Sequence, residues 1–206
     1  MISINRTIIT LLVFGMVFCQ EQKPLRPVST YSIVAIDQET GQMGVAVQSH
    51  WFSVGSLVTW AEPGVGVVAT QSFVRPEYGP ELLHLMSRGY SAKTAINKLT
   101  AQDSERNVRQ IGVVRIDGQS ASYTGEDCVG FASGLEGEGY AIQANIMANP
   151  GVPEAMELAY LNTKGPLADR LYAALIAAEE AGGDLRGRQS AALLVVPKEK
   201  VDNLLS

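Results

Sequence analysis

The sequence predicts an α+β domain built from two mainly antiparallel sheets packed face to face, with helix pairs outside them. Three observations carry that expectation. Strand-like and helix-like runs come in clusters (several strands, two helices, strands, two helices, a last strand) and not in the strict alternation of a parallel sheet. The strand runs are apolar along most of their length, as strands covered on both faces are. Neighbouring strand runs are joined by short turn chemistry, which suits hairpins.

The elements follow in chain order. "TYSIVAID" from Thr30 and "QMGVAVQS" to Ser49 are strands joined by "QETG". "SLVTWA" and "GVGVVATQSF" form a second strand pair around the turn signal "EPG". "PELLHLMSRG" is a helix that opens at Pro80 and stops at Gly89. "SAKTAINKLTAQD" is a second helix with Ser91 as N-cap and Ala95 and Leu99 on its apolar face. A hairpin turning at Asp117-Gly118 joins "VRQIGVVRID" to "SASYTG", and "GYAIQANIM" is a further strand. "VPEAMELAYLN" and "PLADRLYAALIAAEEAGG" are helices, and "QSAALLVVP" is the closing strand.

The N-terminus reads differently. Arg6 precedes an apolar stretch from Ile8 to Phe18, the length of a signal-peptide core and short of the roughly 20 residues that span a bilayer. Residues 1–19 are therefore expected to be a secretory signal, and the protein to be exported, periplasmic or secreted. Two endings are open to it: lipidation of Cys19, against which the bulky Phe18 stands, or ordinary cleavage near Cys19 or Gln20. "EQKPLRPVS" then reads as a spacer or pro-segment over 20–29, followed by one domain over 30–198 and a tail over 199–206. Once the signal is removed, Cys128 is the one remaining cysteine and no intramolecular disulfide can form.

Composition excludes some chemistry. A formal net charge of −5 with no Lys/Arg run argues against a nucleic-acid partner. His50 and His84 are the only histidines, and no ligand-spaced cluster surrounds either, so no metal or other cofactor is expected. No G-x-S-x-G elbow presents a serine. "GVGVVA" at Gly64 matches a dinucleotide fingerprint, but β-branched residues follow it where a helix would have to start. Thiol chemistry at Cys128 is opposed by its acidic neighbours Glu126 and Asp127.

What remains is a set of polar residues within apolar strands: Thr30 and Ser32, Gln48 and Ser49, Thr70 and Gln71, Arg109 and Gln110, Gln143 and Asn145, and the block Asp184 to Ser190. Buried, such groups need partners, so they form either a structural network or a polar pocket. Arg75 adds either a carboxylate clamp or a surface cation. Thr30 has a chemistry of its own. If the chain is cut before it, its α-amine, with an ordinary pKa of about 7.7–8.0, can take the proton of its own hydroxyl, and no histidine is needed. Uncut, it is an ordinary strand threonine.

"TYSIVAIDQETGQMGVAVQS", "VGSLVTWAEPGVGVVATQ", "YGPELL", "RQIGVV", "YTGEDC", "QANIM" and "GGDLRGRQSAALLV" together resemble the domain-of-unknown-function family numbered 1028, grouped with the N-terminal-nucleophile (Ntn) hydrolases. The resemblance runs from about Thr30 to Pro197. It implies a four-layer αββα sandwich, with Thr30 in the nucleophile position and often exposed by autoproteolysis. It also puts the Asp184–Ser190 block where relatives place an Asp and a Ser near the nucleophile's amine. The lysine and the second-strand aspartate of proteasome-like members have no counterpart in "GVGVVATQS" and "GVAVQSHW".

The expected catalytic residues are therefore Thr30, Asp184 and Ser190. Gln48, Ser49, Thr70, Gln71, Arg109, Asn145, Arg186 and Gln189 are expected to bind substrate or shape an oxyanion hole. Two functions fit: an exported amidohydrolase acting on a small amide or peptide, or a catalytically inactive binding module for a small ligand or the cell envelope. Either is compatible with a homo-oligomer.

Overall fold

The computed structural model describes residues 30–200, so the expected signal peptide, the spacer over 20–29 and most of the expected tail lie outside the described residues. Among the described residues, nine strands form two antiparallel sheets. The first has the order β7-β8-β1-β2-β9, with β1 Thr30–Ile36, β2 Met43–Ser49, β7 Phe131–Gly137, β8 Tyr140–Met147 and β9 Ser190–Val196. The second has the order β3-β4-β5-β6, with β3 Thr59–Glu62, β4 Gly66–Ser72, β5 Arg109–Arg115 and β6 Ser120–Thr124. Five α-helices accompany them: α1 Gly55–Val58, α2 Tyr78–Ser87, α3 Ala92–Thr100, α4 Val152–Asn162 and α5 Leu167–Glu180.

Period-two alternation sorts the strand side chains into three apolar clusters. Val34, Val45 and Val47 meet Val67, Ala69 and Val114 between the sheets. Tyr31, Ile33, Ala46 and Ile142 turn the other way, onto Met156 of α4 and Leu171 and Ala174 of α5. Val68, Ile111, Val113 and Ala121 of the second sheet pack on Leu82 and Met86 of α2 and Ile96 of α3. Both faces of the central strands are thus buried, which is why they are apolar throughout.

Most element positions agree with the sequence reading. Ser91 accepts a hydrogen bond from the Thr94 N–H at 3.2 Å, capping α3 as expected. Gly118 sits at φ +85° in the β5–β6 hairpin. Two elements differ. Ser56–Val58, read as strand, belongs to the single turn α1, which Thr59 Oγ1 holds by donating to the Gly55 carbonyl at 2.7 Å. The strand β7 gave no signal, because its glycines answer to side chains that only folding packs against them. A Cβ at Gly134 would overlap the Ser122 hydroxyl, and one at Gly137 the Tyr140 ring.

One ion pair ties the second sheet to its helices. Arg109 Nε donates to Asp103 Oδ2 at 2.8 Å, with both side chains buried, while its other nitrogens reach Glu105 Oε2 and the Phe73 carbonyl, each at 2.6 Å. The Tyr78 hydroxyl donates to the same Asp103 oxygen at 2.8 Å. Burial pushes the Asp103 carboxyl up, but its bonds from Arg109, from the Glu105 N–H and from Tyr78 outweigh burial and hold it down at about 2.

A depressed carboxyl contributes stability that is complete above its unfolded pKa of 3.8 and is lost as pH falls through about 2. Denaturant unfolding between pH 5 and pH 2 should therefore show a loss of about 2 kcal/mol from this group. Asp103→Asn should lower stability at pH 7 and remove that part of the acid dependence.

Candidate functional site

Residues opposite one another in antiparallel strands share a face of the sheet. Asn145 of β8 lies opposite Thr30 of β1, Thr30 opposite Ser49 of β2, and Ser49 opposite Ser190 of β9. A polar row therefore crosses four strands on the face turned to the second sheet. Behind it, Ser32 lies opposite Gln143 on the same face. Gln71 of β4 and Gln110 of β5, paired with each other, meet the row from the other sheet.

Among the described residues, neutral side chains close into a network. Thr30 Oγ1 donates to Ser49 Oγ at 3.3 Å. Gln71 Nε2 donates to the Thr30 carbonyl at 3.2 Å and to Gln110 Oε1 at 2.7 Å. Asn145 Nδ2 donates to the same Gln110 oxygen at 2.9 Å and to the Thr30 carbonyl at 3.4 Å. Ser32 Oγ donates to Gln71 Oε1 at 2.6 Å. Gln110 Nε2 closes the other side on the Ala144 carbonyl, the Ser133 carbonyl and Thr124 Oγ1, at 3.0, 3.1 and 2.9 Å. Among the described residues, Gln143 Nε2 and Asn145 Oδ1 are buried without a partner.

The backbone is strained beside two of these amides. Ser72, after Gln71, has φ +68°, and Ile146, after Asn145, has φ +56°. A left-handed β-branched residue costs about 1–3 kcal/mol and persists only where its surroundings fix it. Ile146 is fixed from both sides: its N–H donates to the Val129 carbonyl at 2.9 Å, and its carbonyl accepts from the Leu185 N–H at 3.1 Å.

Asp184 and Ser190 shape the ground beside Ser49. Asp184 is buried; Oδ2 accepts the His50 N–H at 3.2 Å, and Oδ1 accepts the Arg186 N–H at 2.8 Å. The Arg186 guanidinium lies 3.3 Å from each carboxylate oxygen. Ser190 Oγ donates to the Trp51 carbonyl at 2.6 Å and accepts the Val54 N–H at 3.0 Å. The two residues thus fasten the segment 50–54, which leaves β2 directly after Ser49.

The structure brings Thr30, Ser49, Gln71 and Asn145 together, with Asp184, Arg186 and Ser190 bracing the adjoining loop. It separates the rest. Gln48 points to the helix side with Tyr31, and its amide is buried without a partner among the described residues. Thr70 and Arg109 face the helices of the second sheet, where Thr70 Oγ1 donates to the Leu57 carbonyl at 3.0 Å. Gln189 is exposed, and the Arg75 guanidinium lies over the Tyr78 ring at 5.0 Å. Ser32, Gln110 and Gln143, noted in the sequence only as polar strand residues, join the network. For Ser32, two residues after Thr30 in the same strand, alternation was the available signal. The Cys128 thiol is pushed up by burial, which suits a packed cysteine and not a nucleophile.

Gly112 is what lets Gln143 lie between the sheets, since a Cβ there would overlap the Gln143 amide. Gly112→Ala should therefore destabilise the fold by about 1–3 kcal/mol in denaturant unfolding. Combining it with Gln143→Ala should recover part of that loss, because the two share one space.

Comparison with known proteins follows the same boundaries. The crystal structure of protein SPO2555 from Silicibacter pomeroyi, described with the family DUF1028, superposes with a TM-score of 0.77 at 32% sequence identity, covering 82% of this chain and 74% of that one. An Anbu (ancestral beta-subunit) from Yersinia bercovieri aligns over 81% of this chain and 80% of its own at 12% identity, with a TM-score of 0.39. No curated protein matches. The sequence profile of DUF1028, a family of unknown function, matches residues 30–205, and the chain belongs to that family.

Proposed function

We propose that the protein is an exported amidohydrolase of the Ntn type, with an αββα layering, in which cleavage after Ser29 exposes Thr30 as nucleophile for a small amide or peptide. The observation that carries this reading is the setting of Thr30. It stands at the head of β1 in the middle of the inner polar row, with its carbonyl gripped by the Gln71 and Asn145 amides and its hydroxyl beside Ser49. A residue held by its carbonyl keeps its hydroxyl in one place, which is what an attacking group requires.

The chemistry balances with Thr30 alone. The freed α-amine takes the hydroxyl proton as Thr30 Oγ1 attacks the substrate carbonyl. The tetrahedral intermediate collapses, the C–N bond breaks, and the leaving amine receives that proton. Water, deprotonated by the same α-amine, then hydrolyses the ester and restores the free threonine. Gln71 and Asn145 act as positioning residues, since their N–H donors are taken up by the Thr30 carbonyl and Gln110. Ser49 shares a hydrogen bond with the nucleophile, and Asp184 and Ser190 hold the loop beside it.

The binding-module reading rests on one observation as well: the amides that grip Thr30, Gln71 and Asn145, and the Gln110 that ties them are neutral, where proteasome-like relatives set a lysine. The two readings part on one protein. Intact mass and N-terminal sequencing of exported protein should give a chain beginning Thr-Tyr-Ser-Ile-Val. That protein should hydrolyse small amides with a kcat/KM that rises with pH through about 8, as the amine loses its proton. Thr30→Ala should reduce hydrolysis to background while leaving the unfolding midpoint near its original value. An uncut chain, or hydrolysis that survives Thr30→Ala, sinks the hydrolase reading. Ligand-dependent thermal stabilisation that persists in the variant supports the binding module.

A further inference from the structure

The two sheets together have four edge strands, and three of them are blunted. Strand β3 is four residues long and ends in Glu62. Strands β6 and β7 close on each other across the gap between the sheets: the Ser122 N–H donates to Glu136 Oε1, and Ser120 Oγ to the Gly137 carbonyl, each at 2.6 Å. The β7 edge is also broken by a register shift between Phe131 and Ser133. Bulges, inward charges and covering contacts of this kind are how sheets avoid pairing with other chains.

Strand β9 has neither a bulge nor a charge, although the turn α1 lies against its inner face, where a Cβ at Gly55 would meet Ala192. It reads "SAALLVV" with no charge and no proline before Pro197. It pairs with β2 on one side, and among the described residues no backbone hydrogen bond reaches its other side. Both of its faces stay partly bare: Leu193, on the helix side, is 41% exposed, and Leu194, on the inner side, is 38% exposed. The neighbouring flank of α5 continues this surface. Leu171, Ala174 and Ala178 of α5 bury against the sheet, while Ala177 and Ala181 turn toward α4. At 100° per residue, Tyr172 and Ile176 then project from the flank away from α4, above β9. Tyr172 is 60% exposed and Ile176 39%.

We propose that β9 is the seam of a two-fold dimer, in which it pairs antiparallel with β9 of a second copy while Tyr172 and Ile176 pack across the same axis. The strand itself argues for a second copy over a foreign peptide. Leu193 is the middle of its seven residues. Antiparallel self-pairing about Leu193 sets Leu193 opposite itself, Ala192 opposite Leu194 of the second copy and Ala191 opposite its Val195, so small meets large on both sides of the axis. A two-fold axis requires this self-complementarity of one patch. Pairing would join the two five-stranded sheets into one continuous sheet and satisfy the open backbone groups of both edges.

Sedimentation velocity of the full chain over about 1–100 μM should show a concentration-dependent dimer. Leu193→Lys, which puts a charge on the edge, and Tyr172→Glu, on the exposed helix flank, should each raise its dissociation constant at least about tenfold. Both substitutions fall on exposed side chains, so far-ultraviolet circular dichroism of the monomeric variants should match the original. A monomer throughout that range overturns the proposal, as does a dimer that neither substitution weakens. The result is independent of whether Thr30 is a nucleophile.

Discussion

The position of every other candidate residue depends on the burial of neutral amides between two otherwise apolar sheets. Gln110 Oε1 is the node: it accepts from Gln71 of its own sheet and from Asn145 of the other. Each unpaired amide in such a place costs roughly 1–3 kcal/mol, so a satisfied pair fixes how the sheets sit against each other. Apolar packing alone tolerates sliding, since one valine contact resembles the next. A hydrogen bond between sheets does not, and here Gln71 reaches across to the Thr30 carbonyl, where Asn145 of Thr30's own sheet also donates.

That convergence explains where strain is found. The left-handed Ser72 and Ile146 directly follow Gln71 and Asn145, the two residues that grip Thr30. The chain leaves β4 at Ser72, while Ile146 lies within β8, held by its bonds to the Val129 carbonyl and the Leu185 N–H. The segment Asp184–Ser190 does the same for the loop after β2, through the His50 N–H, the Trp51 carbonyl and the Val54 N–H. The bonds to the Thr30 carbonyl and to the loop after β2 gather at one end of the first sheet. The same end also begins the family match, at residue 30.

Legibility in the sequence followed the range of the interaction concerned. The β1–β2 hairpin, the Ser91 cap and the helices over 152–162 and 167–180 were legible because their signals are local: a turn dipeptide, a capping side chain, a helical period. Strand β7 was not, because Gly134 owes its place to Ser122 of the other sheet. The single turn α1 was hidden as well: Thr59 holds it by donating to the Gly55 carbonyl, and the distant Ser190 by accepting the Val54 N–H.

The sequence by itself determined which strands are apolar, where they turn, and that polar residues interrupt them at Thr30, Ser49, Gln71 and Asn145. It also marked Gln48, Thr70 and Arg109 as the same kind of interruption. Only the tertiary structure divided them. Alternation in a strand has period two, so neighbours such as Gln48 and Ser49 face opposite sides, and when both sides are buried composition no longer shows which side is which. Pairing between the sheets supplies the missing phase. It sends Thr30, Ser49, Gln71 and Asn145 to the shared interior, and Gln48, Thr70 and Arg109 to the helices.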